Sequence, residues 1–107
     1  EQGDIRLIGN SEANTGTLQV YYNGVWGYVC DDYWGNNDAT VVCRQLGYSG
    51  LTSTQLGIYA PSTTYWLDNV GCSGTENNIS ECYHLPWGNH NCGTSEHVNV
   101  TCIYGFQ

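Results

Sequence analysis

Apolar residues keep two different rhythms along this chain, and the change between them falls near Cys30. Residues 18–22 and 25–29 are short aromatic and aliphatic runs separated by Asn23-Gly24. Both turn residues accept the positive φ of a tight type I′ turn, so the pattern predicts a β-hairpin whose first strand starts at about residue 17. After Cys30-Asp31-Asp32 the period lengthens. Ala39, Val42, Cys43 and Leu46 recur at i, i+3, i+4 and i+7, one apolar helical stripe with a cysteine turned inward. Asn36 or Asn37 stands ready to cap that helix, Asp38 lies in its first turn, and Gly47 occupies the C′ position.

The flanking segments are weaker in signal. Residues 5–8 read as a first strand with Arg6 on its outer face, and 9–16 as a polar turn. Residues 48–61 show no clean period and read as an irregular loop, with at most a short strand near 55–59. Residues 65–68 predict a short strand, Gly74 a turn, 76–82 one or two helical turns, 84–92 a loop, and 98–103 an alternating last strand. The expected class is α+β. A single domain fills 1–107, with its core at about 5–103.

Charge narrows the function. Two Lys plus Arg against ten Asp plus Glu give a formal charge of -8, so no basic patch can be assembled. Direct Lys/Arg binding of nucleic acid or of an anionic membrane surface is excluded on that ground. No run is apolar enough to span a bilayer or to act as a signal peptide, and the chain reads as a mature domain excised from a longer protein.

Six cysteines in 107 residues point to a disulfide framework and an oxidising, extracellular compartment. They permit fifteen connectivities, among which spacing does not choose. No C-x2-C pair is present, which argues against zinc, although His84, His90 and His97 are available. Asn78-Ile79-Ser80 and Asn99-Val100-Thr101 are N-glycosylation sequons, consistent with secretion. Asp31 and Asp32 are sequence neighbours and point different ways, poor geometry for a pair of catalytic carboxylates facing one bond. No enzymatic activity is expected.

Three runs, GVWGYVCDDYWGNNDATVVCRQLGY, WLDNVGCSGTE and PWGNHNCGTSE, together resemble the scavenger receptor cysteine-rich domain in its six-cysteine group A form. The resemblance covers nearly the whole chain in order. It implies bonds Cys30 to Cys92, Cys43 to Cys102 and Cys72 to Cys82, and a small disulfide-rich fold in which a curved antiparallel sheet cradles one main helix.

It also gives the acidic residues a role. A Cys30 to Cys92 bond would bring Asp31, Asp32 and Glu96 into one neighbourhood, where hard oxygen donors favour Ca²⁺ or Mg²⁺. The family places a cation site used in ligand binding at the matching positions. Asp68 and Asn91, with Asn69 nearby, match a second, weaker site. Family members often follow the glutamate with Asp-Ala-Gly, whereas this chain has His97-Val98-Asn99. His97 would then set a titratable imidazole beside the cation. Arg clusters that help some relatives grip polyanions are absent. Trp26, Trp34, Trp66 and Trp87 read as packing residues, and Tyr33, Tyr59, Tyr65 and Tyr83 as candidate surface.

The expectation is therefore a secreted or ectodomain ligand-binding module for an anionic or glycan ligand, assisted by Ca²⁺ or Mg²⁺. An adhesion or assembly module for a protein partner, and a regulatory domain of a multidomain secreted enzyme, are the alternatives.

Overall fold

The computed structural model describes residues 2–106, with the Phe106 side chain outside the description. Its elements are β1 (Ile5–Ile8), β2 (Thr15–Tyr22), β3 (Val25–Val29), α1 (Asn36–Gln45), β4 (Tyr48–Ile58), β5 (Tyr65–Leu67), a 3-10 turn (Ile79–Glu81) and β6 (His97–Phe106). The sheet runs β4-β6-β2-β3-β5, with β1 pairing β2 off that path. The expected hairpin is β2–β3, and Asn23 takes φ 53° at its turn.

Hydrophobic alternation sets the layers. Leu18 and Val20 of β2, Val29 of β3, Leu67 of β5 and Val98 and Val100 of β6 all point inward. They meet the buried stripe of α1, including Ala39, Val42 and Cys43, and one core results. Three disulfides staple it: Cys43 to Cys102 joins α1 to β6, Cys72 to Cys82 closes a short loop, and Cys30 to Cys92 ties the end of β3 to the loop before β6.

Three local expectations need correction. Residues 48–58 form the longest strand, not an irregular loop, because β4 pairs antiparallel with β6 through several register shifts. The N-cap of α1 is Gly35, not Asn36 or Asn37. Asp38 reaches back from the first turn to accept the Gly35 N–H at 2.7 Å, satisfying one of the free donors at that end. The sheet is not wholly antiparallel either, since β3 and β5 run parallel, Tyr28 opposite Tyr65 and Val29 opposite Leu67. Parallel pairing requires a crossover, and α1 and β4 both lie within it.

Gly27 permits the β3–β5 approach. The Trp66 indole crosses its face and donates to the Val25 carbonyl at 2.9 Å. A Cβ on Gly27 would lie 2.5 Å from Trp66 Cδ1 and 3.1 Å from the Thr64 carbonyl oxygen. The Gly27→Ala variant is expected to lose about 1 to 3 kcal/mol, as for overpacking elsewhere. Urea unfolding checks this, and an unchanged midpoint would mean that the indole moves aside freely.

Candidate functional site

The acidic site is assembled by backbone pairing. Cys30 bridges His97 where β3 meets the start of β6, and the next step of the ladder is a hydrogen bond from the Asp31 N–H to the Glu96 carbonyl at 2.9 Å. The Cys30 to Cys92 disulfide, with Cα atoms 6.2 Å apart, fixes the third segment. Asp32 and Glu96 are thus brought to the disulfide, with Asp31 as their neighbour.

Each carboxylate is held. Asp31 Oδ2 accepts the Gly57 N–H at 2.9 Å, and Glu96 Oε2 accepts the Gly93 N–H at 2.6 Å. A turn closed by Trp34 N–H on the Asp31 carbonyl, with Tyr33 at φ 63°, sets the direction of Asp32. Asp32 and Glu96 each offer an oxygen within 4.8 Å of the other and of the two half-cystine sulfurs. Those sulfurs are oxidised and do not ligate a hard cation, so only the oxygens could serve as donors to one.

Asp68 joins this cluster. It is 2 % exposed, at the end of β5, and Asp32 lies close enough to hydrogen-bond to it. The family resemblance implies a second, weaker site for Asp68 with Asn91; the parallel β3–β5 pairing also sets Asp68 beside Asp32. A cleft of about 200 Å³ holds Asp68, Asn69, Asn89, His90 and Asn91. Asn91 is exposed on its rim.

Crowding has an electrostatic signature. Partial burial first, then Asp68, Glu96 and Asp31, push the Asp32 carboxyl above its ordinary value. Burial and then Glu96 and Asp68 raise Asp31 likewise, against the lowering hydrogen bond from Gly57. Neither arginine relieves the charge. Arg44 donates to the carbonyls of Gly74 and Glu76, and Arg6 stacks 4.1 Å over Trp26 while its Nε donates to Gln19.

His97 does not occupy the place foreseen for it. Its ring is fully buried, packed against Tyr28 and Tyr65 and not exposed to solvent. Nδ1 lies 3.1 Å from the Ile58 carbonyl and 3.2 Å from the Thr94 carbonyl. Two carbonyl acceptors assign the proton to Nδ1, and Nε2 is left buried without a partner. Tyr65, foreseen as surface, is also buried. It lies against His97 and His90 beneath the Cys30 to Cys92 bond, and its hydroxyl donates to the Gly93 carbonyl at 2.5 Å. Burial, reinforced by Glu96, pushes that phenol up to about 12.

Tyr33 and Tyr83 do face solvent, 82 % and 65 % exposed, and line a cleft of about 420 Å³ with Asn69, Val70 and Gly71. Tyr59 is exposed as well. Trp34 is buried and donates to Thr54, whereas Trp26, Trp66 and Trp87 are half-buried. Of the sequons, Asn78 caps the 3-10 turn and Asn99 lies within β6. Among the described residues, no helix is long and apolar enough to cross a membrane.

A disulfide-stapled α+β domain with a curled sheet, one helix and a carboxylate cluster at one bond defines a class of small modules. The chain belongs to the scavenger receptor cysteine-rich domain family, whose model matches residues 8–103. It is 50 % identical over 99 residues to the macrophage receptor MARCO of Mus musculus, covering 92 % of this chain and 18 % of that protein. With the human CD5 antigen-like protein the identity is 44 % over 103 residues, covering 92 % and 30 %. The chain thus spans less than a third of the length of these relatives.

Solved structures agree in fold. The dimeric form of the mouse MARCO domain superposes with a TM-score of 0.79 at 48 % identity, covering 92 % of this chain and 93 % of that one. The third such domain of murine neurotrypsin gives 0.84 at 38 % identity, covering 94 % and 96 %.

Proposed function

We propose that the domain is a non-enzymatic extracellular ligand-binding module of the six-cysteine group A type, in which Asp31, Asp32, Asp68 and Glu96 hold Ca²⁺ or Mg²⁺. The observation that carries this reading is that Asp32 and Glu96 meet at one disulfide with Asp31 and Asp68 as charged neighbours, four carboxylates from three separate segments with no cationic side chain among them. Burial, and after it repulsion among the carboxylates, raises Asp31 and Asp32, and the donor set is all hard oxygen. A bound cation supplies an open coordination position for a phosphate, sulfate or carboxylate of the ligand. That reconciles an acidic domain with an anionic or glycan ligand. The paired cysteines support an oxidising compartment, and the likeness to a macrophage receptor supports ligand capture as the task.

Asp68 and Asn91 serve as the second, weaker cation position on the shared cleft. An array of sulfated, phosphorylated and carboxylated glycans, probed in Ca²⁺ and again after chelation, tests the assignment. Binding is expected only with the cation present. Binding that survives chelation would favour the second reading, adhesion or assembly with a protein partner, for which the exposed Tyr33 and Tyr83 cleft is the surface.

A further inference from the structure

The 3-10 turn is anchored from beneath and open above. Ile79 is fully buried, and its N–H donates to Gln45 Oε1 at 2.8 Å while Gln45 Nε2 donates to the Gly3 carbonyl at 2.9 Å. The Cys72 to Cys82 bond and the two Arg44 hydrogen bonds hold the loop that leads into it. Asn78 therefore has a fixed backbone, extended at φ -146° and ψ 138°.

Its amide is also oriented. Oδ1 accepts from the Ser80 N–H at 2.9 Å and from the Ser80 hydroxyl at 2.6 Å. The same oxygen is the nearest atom to Gly3, 3.3 Å from where a Cβ there would stand. With the oxygen edge turned to Ser80 and Gly3, the planar amide turns Nδ2 the opposite way. Asn78 is half-exposed, and it borders a cleft of about 480 Å³ formed with Asp4, Arg6, Trp26, Gln45 and Leu46. One wall is the Arg6 guanidinium stacked on the Trp26 indole.

The second sequon is built differently. Asn99 lies in an interior strand, opposite Thr17 of β2 and Gln55 of β4. Its Oδ1 accepts the Thr17 hydroxyl at 2.7 Å, and the sequon hydroxyl of Thr101 bonds to Thr15, 2.7 Å away, not to Asn99. Both polar groups of that sequon are tied to β2.

We propose that Asn78 is the principal N-glycosylation site of this domain, and that the first sugar of its glycan seats in the cleft against Trp26. The modification forms a bond from Nδ2 to the anomeric carbon of a diphosphate-activated oligosaccharide as the carbon–oxygen bond to the diphosphate breaks. The diphosphate leaves with the electron pair, and the amide loses one proton. The Arg6 guanidinium covers part of the indole, so the sugar meets the guanidinium donors with its polar edge and the remaining indole surface with its apolar face.

The test is secretion of the chain from glycosylating eukaryotic cells, with glycopeptide mass spectrometry of the natural sequence and of N78Q and N99Q. The expected result is high occupancy at Asn78, loss of the major glycan mass in N78Q, and at least a several-fold lower occupancy at Asn99. An unmodified Asn78 peptide, or equal or greater occupancy at Asn99, overturns the site assignment. Seating is read separately, on protein trimmed to a single N-acetylglucosamine. The acetyl methyl proton resonance is expected to move upfield by the indole ring current; a resonance at the free-sugar position overturns the seating.

Discussion

Replacing Cys43 and Cys102 together by alanine is expected to cost roughly 4 kcal/mol, because their separation of 59 residues makes the bond restrict a large loop of the unfolded chain. That is comparable with the whole stability of many small domains. The two sulfurs are also buried where α1 meets β6, so shortened side chains add a packing loss in the same direction. The variant should unfold more than 15 °C below the parent or show no cooperative transition, as read by thermal circular dichroism. A midpoint within 5 °C of the parent would mean that the helix and β6 hold each other without the clip.

The second large effect belongs to Asp32. Extracellular Ca²⁺ modules bind at about 10⁻⁴ to 10⁻³ M, and at 10 mM Ca²⁺ such a site stabilises its fold by about 1.4 to 2.7 kcal/mol. A gain in midpoint on the order of 5 to 15 °C is expected for the native domain, and little or none for Asp32→Asn. Without metal the order should reverse. The folded-state carboxyls of Asp31 and Asp32 are raised, so the stability they contribute is present below their unfolded value and is lost as pH rises through the folded one. At pH 7 the charged cluster is therefore a cost that Asp32→Asn lessens. Differential scanning calorimetry with and without Ca²⁺ separates the two signs. A variant that gains as much from Ca²⁺ as the parent would refute Asp32 as a ligand.

Acid itself acts on a second group in the other direction. Glu76 accepts from the Ser73 and Gly74 N–H groups and the Ser73 hydroxyl, which lowers its carboxyl to about 2. Its contribution is present above the ordinary glutamate range and lost as pH falls toward 2. Relief of the Asp31 and Asp32 repulsion on mild acidification is therefore expected before this loop loosens.

These assignments draw unequally on the sequence. The β2–β3 hairpin and α1 are legible because their signals are local: Asn23-Gly24 needs only its own backbone, and the stripe from Ala39 to Leu46 only one helix. The strand β4 is hidden because Ser49-Gly50-Leu51-Thr52-Ser53 carries no strict alternation. Its conformation comes from a long-range ladder with β6. Gly35 is missed as a cap because the side chain that serves it, Asp38, sits three residues inside the helix. Asp31, Asp32 and Glu96 are gathered once the Cys30 to Cys92 bond is drawn. Asp68 is brought to them only by the parallel β3–β5 register, which no local pattern encodes. His97 is misplaced for a related reason: alternation with the buried Val98 turns it outward, yet Tyr28 and Tyr65 cover that outer face at the strand's start.

The disulfide pattern also sets how the domain responds to pulling. If force is applied at the two ends of the chain, β1 and β2 can peel from the sheet, but the strain then reaches Cys30. Covalent tension passes directly from there to Cys92, bypassing a sequence separation of 62 residues. About 200 Å of contour is withheld from extension at 3.3 to 3.6 Å per residue. Within that length, beyond Cys43, lie β4, β5 and the carboxylate of Asp68. Inside a longer chain under shear, the domain would act as a short tether with a hard stop: the Cys43 to Cys102 bond leads part of the load from β6 back through residues 30–43, while residues 44–91 lie outside the loaded path.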